Sequence, residues 1–288
     1  MAHQPRLNRI IDRLVNNQPA VGSFVTNGNL DDLTYITEAG YDFAVIENEH
    51  VGMDFASLRV SLQFLLSRER LAKQGNLQAN PTPLVRVAPN SGEVGVNQWV
   101  LKQTLDHGVY GMILPRMESV EAARAAVAAC RYVQRPGVAD ELPKGERGWS
   151  PRVASRYWGL SVPEYFDACD VWPLDPDGEM LLIAICETTE GVAALPGILR
   201  EVKGIGVVWA GPGDLSVSMG TGGNPDAPEV QEALLDILKS CQEYGVACAA
   251  GANSPEELDR RLEQGFQVIF AAPERSTPVL DHARARGW

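Results

Sequence analysis

The chain has 288 residues, 45% of them hydrophobic, and a formal net charge of −12. This composition is globular rather than disordered, and the acidic balance argues against nucleic acid as a partner, because phosphate binding needs a basic surface. No apolar run approaches membrane-spanning length, and Met1-Ala2-His3-Gln4-Pro5-Arg6 has no apolar signal core behind it, so the expectation is a cytoplasmic protein with no membrane partner.

In chain order, strand-like apolar runs fall at 21–25, 42–47, 83–87, 110–114, 181–186, 206–210, 246–250 and 267–271. Helix-like segments lie between them at 31–39, 119–131, 190–202, 228–244 and 255–264. Strand–helix alternation implies a parallel sheet with right-handed crossovers. Eight such units imply closure into a (β/α)8 TIM barrel. Helix ends agree: Ser254-Pro255-Glu256-Glu257 is a cap residue, a first-turn proline and two acids. Residues 1–288 are expected to form one barrel domain with a helix at 278–285. An insertion at about 132–180 separates the fourth and fifth strands; if part of it folds over the strand ends, it borders the catalytic face. The connection 68–82 is polar and reads as an exposed loop.

Barrels of this kind keep their chemistry at the carboxyl ends of the strands. Two acids stand there. Glu187 closes the run Leu181-Leu182-Ile183-Ala184-Ile185-Cys186, and Asp214 follows the strand at 206–210 inside Gly211-Pro212-Gly213-Asp214-Leu215-Ser216. Either alone reads equally as a helix cap or an ion-pair acid. Together they suit a hard, oxygen-loving ion such as Mg²⁺ or Mn²⁺, with Co²⁺ a third candidate. His50 lies just past the second strand, a base able to exchange a proton near neutral pH. His3 and His282 are near the termini and His107 ends a helix, so His50 is the base candidate. Arg86 ends the third strand, where it either pairs within the barrel or donates to an anion. Lys73, Lys102, Lys144, Lys203 and Lys239 lie off the strands, leaving a Schiff base without an obvious carrier. The five cysteines form no C-x-x-C pair, against a disulfide framework or zinc site.

Glu49-His50, Val85-Arg86, Leu114-Pro115, Arg147-Gly148, Glu187-Thr188 with Glu190-Gly191, and Gly211-Pro212-Gly213-Asp214-Leu215-Ser216 occur in order on these strands. In this the chain resembles the HpcH/HpaI aldolases, metal-dependent pyruvate aldolases on phosphoenolpyruvate/pyruvate-type barrels. The resemblance implies cleavage of a 4-hydroxy-2-oxo acid to pyruvate and an aldehyde through a metal-bound pyruvate enolate. It implies that Glu187 and Asp214 hold the metal and that the N–H groups of Gly213 and Asp214, with Ser216 nearby, receive the substrate carboxylate. Arg86 would face the enolate oxygen. His50 would act as acid and base through water, with Asp106 as its paired acid. It also implies a homo-oligomer, a hexamer built as a trimer of dimers, with the last helix at a subunit interface. The chain departs from the family pattern at Glu47, where Asp is usual, at Ile185, where Gln is usual, and in the turn Ala272-Pro273-Glu274-Arg275. Two other readings compete: a lyase on a larger aromatic or acyl-CoA substrate, like the citrate-lyase β proteins, and a degenerate barrel that only binds.

Overall fold

The computed structural model describes residues 5–26, 29–137, 143–272 and 274–288. His3, residues 138–142 of the insertion and Pro273 therefore lie outside the described residues. The strands are β1 (Ala20–Val25), β2 (Phe43–Glu47), β3 (Thr82–Arg86), β4 (Gly111–Leu114), β5 (Val171–Trp172), β6 (Met180–Cys186), β7 (Val207–Ala210), β8 (Ala247–Ala252) and β9 (Val268–Ala271). All pair in parallel, in the order β4-β3-β2-β1-β9-β8-β7-β6-β5, and a β4–β6 pairing closes the ring. The short β5 pairs with the start of β6. The other eight are the expected barrel strands.

The helices are α1 (Arg9–Val15), α2 (Leu30–Ala39), α3 (Phe55–Phe64), α4 (Arg68–Gln74), α5 (Val94–Asp106), α6 (Val120–Cys130), α7 (Arg152–Trp158), α8 (Val162–Ala168), α9 (Thr189–Glu201), α10 (Pro212–Ser218), α11 (Pro228–Tyr244), α12 (Pro255–Gln264) and α13 (Pro278–Ala285). The expected exposed loop at 68–82 begins instead with α4. Ser67 Oγ accepts the N–H of Arg70, and Gly75 ends the helix at φ 66°. The last helix, α13, buries Val279, Leu280 and Ala283 and packs on α12 of its own chain.

Side chains alternate in and out along each strand. Val21, Ala44, Val85, Leu182 and Val208 point outward into the layer beneath the helices. Ala20, Phe43, Leu84, Leu181, Ile183, Ile185, Val207 and Val268 fill the barrel interior. Ile10, Ile11 and Leu14 of α1 join that interior group and plug the amino-terminal mouth. Asn8 anchors the plug: its side-chain amide donates to the carbonyls of Tyr110 and Glu179 at 3.2 and 3.1 Å. The same alternation turns Phe24, Glu47, Arg86, Trp209 and Phe270 inward at the carboxyl-terminal mouth.

The described residues of the insertion are anchored away from that mouth. Trp158 stacks on Tyr110 with ring centroids 4.1 Å apart and donates Nε1–H to Gly108 O at 2.9 Å. Tyr157 donates its hydroxyl to Leu62 O at 3.0 Å. Both Gly108 and Tyr110 precede β4, so the insertion is tied to the amino-terminal side of the barrel wall. Its aromatic residues fix that position: burying Trp158 against Tyr110 removes more apolar surface from water than an arch over a polar mouth would.

Candidate active site

Glu187 follows β6 directly and is 5% exposed. Its Oε1 accepts the N–H of Arg116 at 2.8 Å. Arg116 reaches it because the turn after β4 takes φ 50° there, while the next N–H, of Met117, donates to Ile185 O at 2.9 Å. The other oxygen, Oε2, lies beside Gly211. A Cβ at Gly211 would stand 2.9 Å from Ile185 Cγ2 and 3.3 Å from Glu187 Oε2, so only glycine leaves that space open. Asp214 occupies the first turn of α10. Burial pushes Glu187 up to about 7, and the carboxylates of Asp214 and Glu49 push the same way against the Arg116 N–H and Arg86.

This donor set fits a hard divalent ion. A buried carboxylate raised by desolvation and like charge, with one oxygen edge kept clear, is stabilised by a cation. Among the described residues no group of three or more His, Cys, Asp or Glu side chains is arranged to hold a metal. The carboxylate pair would leave the remaining positions to water and substrate.

Parallel register sets the second half of the site by pairing Glu47 with Arg86 across β2 and β3. Arg86 Nε–H donates to Glu47 Oε2 at 2.6 Å, and Nη2 stands 2.5 Å from the same oxygen. Glu49 Oε2 is 3.1 Å from Nε. The guanidinium carbon lies 5.2 Å from the Phe24 ring centre and 5.8 Å from that of Trp209, a cation–π seat. Glu47 Oε1 accepts the N–H groups of Glu49 and His50 at 2.6 and 3.2 Å. One carboxylate thus orients the arginine and folds the loop carrying His50. That role was not legible while Glu47 counted only as a departure from the family pattern; the parity shared with Arg86 was its signal. His50 is 61% exposed, with Nε2 3.4 Å from Glu49 Oε2. Burial raises Glu49 above the usual carboxylate range, opposed by Arg86 and His50.

A 370 Å³ cavity at this mouth is lined by Glu47, His50 and Arg86 together with Phe24, Trp209 and Phe270. The three rings pack on one another, with Trp209 and Phe270 centred 4.3 Å apart. Ile185 fills the interior below.

Two expected site residues are engaged elsewhere. Asp106 ends α5 and pairs with Arg147, Nη2 to Oδ1 at 3.0 Å, rather than with His50. Burial raises it against the pull of Arg147. Ser216 is fully buried and donates its hydroxyl to Gly213 O at 2.6 Å, which tightens the first turn of α10. Gly213 is in open space, with nothing within 4 Å of a Cβ built on it.

The fold is a parallel barrel whose carboxyl-terminal mouth gathers Glu47, His50 and Arg86 around one cavity. A profile of the HpcH/HpaI aldolase/citrate lyase family matches residues 21–272, and the chain belongs to that family. It is an aldehyde-lyase. A Klebsiella pneumoniae protein named 4-hydroxy-2-oxo-heptane-1,7-dioate aldolase is 29% identical over 273 residues, 95% of this chain and 89% of its own. The Pseudomonas aeruginosa hydroxypyruvate/pyruvate aldolase is 30% identical over 271 residues, 94% of this chain and 88% of its own. A Burkholderia cenocepacia crystal structure of the same family has the same fold, with TM-score 0.73 at 24% identity over 97% of both chains.

Proposed function

We propose that the chain cleaves a 4-hydroxy-2-oxo acid to pyruvate and an aldehyde, with Glu187 and Asp214 holding a divalent ion, Mg²⁺ or Mn²⁺. The observation that carries this reading is the meeting, at one barrel mouth, of the Glu187–Asp214 pair with Arg86 and His50. The ion would supply Lewis acidity toward the 2-oxo oxygen.

The remaining work falls to the chain. Arg86, held by Glu47 and Glu49, keeps its other N–H donors for the keto oxygen. Charge grows on that oxygen as the C3–C4 bond breaks, so the donors bind the transition state more tightly than the ground state. His50 takes the proton of the C4 hydroxyl through water, and the C4–O bond becomes the aldehyde carbonyl. The electron pair of the broken bond passes to C3, which then gains a proton. The first turn of α10, open at Gly213, offers backbone N–H groups to the substrate carboxylate. The paired carboxylates and the Arg86 clamp support this reading over a barrel that only binds. For an acyl-CoA substrate, Arg86 is the only Lys or Arg among the described residues lining the cavity, and its charge is already balanced by Glu47 and Glu49.

The experiment is pyruvate release from a panel of 4-hydroxy-2-oxo acids by metal-stripped protein, with Mg²⁺, Mn²⁺ or Co²⁺ restored. Release that depends on added ion is expected. No release from any acid with any ion overturns the proposal.

A further inference from the structure

The mouth cavity extends past the reacting groups to a sector built by β8, β9 and β1. Thr26, Asn253 and Glu274, from the turns after these strands, line it. Ring order places this sector beside β2 and β3, which carry Glu47 and Arg86. An aldehyde released next to Arg86 and His50 therefore has its far end directed here or to solvent. The wall between is the Phe24–Trp209–Phe270 cluster.

Glu274 supplies the charge of this sector. Its Oε1 accepts the Thr26 N–H at 3.1 Å and the Thr26 hydroxyl, which leaves Oε2 without a hydrogen bond among the described residues. The neighbouring Arg275 turns away to Asp32, so it does not neutralise Glu274. Among the described residues lining the cavity only Arg86 is a permanent cation, and Glu47 already holds it. The far sector is thus negatively charged, hydrogen-bond accepting and backed by aromatic rings.

We infer that Glu274 is a specificity-determining residue that selects the aldehyde half of the substrate, accepting an uncharged hydroxyl-bearing end and rejecting a carboxylate-bearing one. The inference rests on the aldol reading above. A hydroxyl donates to the free Glu274 oxygen, and the Asn253 amide serves a second oxygen. A terminal carboxylate instead meets an unneutralised like charge. At ~5 Å and an effective dielectric of about 20, that repulsion is on the order of 10²-fold in an equilibrium constant. Solvent at the open mouth reduces it toward tenfold. Missing donor–acceptor partners penalise an end group as well as like charges do.

Three substrates test it: 4,5-dihydroxy-2-oxopentanoate, 4-hydroxy-2-oxovalerate with its methyl end, and 4-hydroxy-2-oxo-heptane-1,7-dioate. The wild type is expected to favour the hydroxylated acid over the dioate by about tenfold to 10²-fold in kcat/KM. Glu274→Gln should narrow that ratio by about tenfold, chiefly by raising the dioate, and Glu274→Lys should reverse it. Turnover of the hydroxylated acid by Glu274→Gln certifies an intact fold and reaction centre. Wild-type turnover of the dioate equal to that of the hydroxylated acid, or a ratio unmoved in Glu274→Gln, overturns the selection while leaving the aldol reading intact. Release of pyruvate from none of the three overturns both.

Discussion

Arg86 and Glu187 represent two ways of keeping a charge inside a barrel mouth. Arg86 is neutralised by Glu47 and Glu49 and seated on Phe24 and Trp209. Its planar fork matters, because one N–H edge serves the carboxylates while the other remains free. Arg86→Lys should therefore fold normally yet lose roughly 10²-fold in kcat/KM, the scale of a lost oxyanion donor. An unchanged kcat/KM would remove Arg86 from the reaction. Glu187 is the opposite case, a buried acid raised to about 7 chiefly by desolvation, with Asp214 adding to it. The unfolded chain ionises near the ordinary glutamate value. The folded state therefore binds the extra proton between there and about 7, and stability falls as pH rises through that window. In chelator at pH 8, Glu187→Gln should melt above the wild type, and near pH 4 the two should coincide. Added Mn²⁺ should reverse the order at pH 8 by stabilising only the wild type. Equal melting temperatures at pH 8 in chelator would show that the desolvation strain is not there.

At the scale of elements, the strand ends and the turns after them act as one frame. The turn after β4 delivers the Arg116 N–H to Glu187, and the Gly211 N–H donates to Cys186 O at 3.1 Å. The Gly211 turn thus runs against the end of β6 with no room for a side chain. Gly211→Ala would press Ile185 Cγ2, and the carboxylate of Glu187 would have to shift. The expected cost is about 1–3 kcal/mol of stability, typical of overpacking, together with weaker metal binding measured by calorimetry. An alanine variant that binds metal as the wild type does would mean that the cleared space beside Oε2 is not the ion's position.

For the whole molecule, the insertion and the outer helix faces matter most. Trp158 is 1% exposed and joins the insertion to the barrel wall through Tyr110 and Gly108. Trp158→Ala should cost about 3–5 kcal/mol in denaturant unfolding, while kcat per folded molecule stays near wild type, because no described residue of the insertion lines the mouth cavity. A selective loss of kcat with stability intact would place the insertion in catalysis. On α5, Val96 is 82% and Trp99 46% exposed, and Trp149 of the insertion is 59% exposed. Apolar groups of this size in water favour association. We propose a homo-oligomer, a hexamer built as a trimer of dimers, with these surfaces rather than α13 at the contacts, since α13 already buries its apolar face on its own chain. Light scattering should report a hexamer for the wild type and a smaller species for Val96→Glu with Trp99→Glu. A monomeric wild type at micromolar concentration would refute the assembly. No helix among the described residues is long and apolar enough to cross a membrane.

What the amino-acid sequence determined by itself was local. Eight apolar runs with turn residues between them specify strands, because burial on both faces needs little more than apolar side chains over a few residues. The positions of Glu187, Asp214, Arg86 and His50 past strand ends were legible for the same reason. The α1 plug was not among the elements read from the sequence, because a segment of seven residues carries little periodic signal. Tertiary structure alone decided the rest. Only the β2–β3 register made Glu47 the clamp of Arg86, and only the approach of the β4 turn supplied Glu187 with the Arg116 N–H. Asp106 went to Arg147 and the described part of the insertion to the amino-terminal side, because Trp158 and Arg147 found partners there that lie far away in sequence. Closing the ring brings such groups together, and no local periodicity encodes which distant partner a side chain will meet.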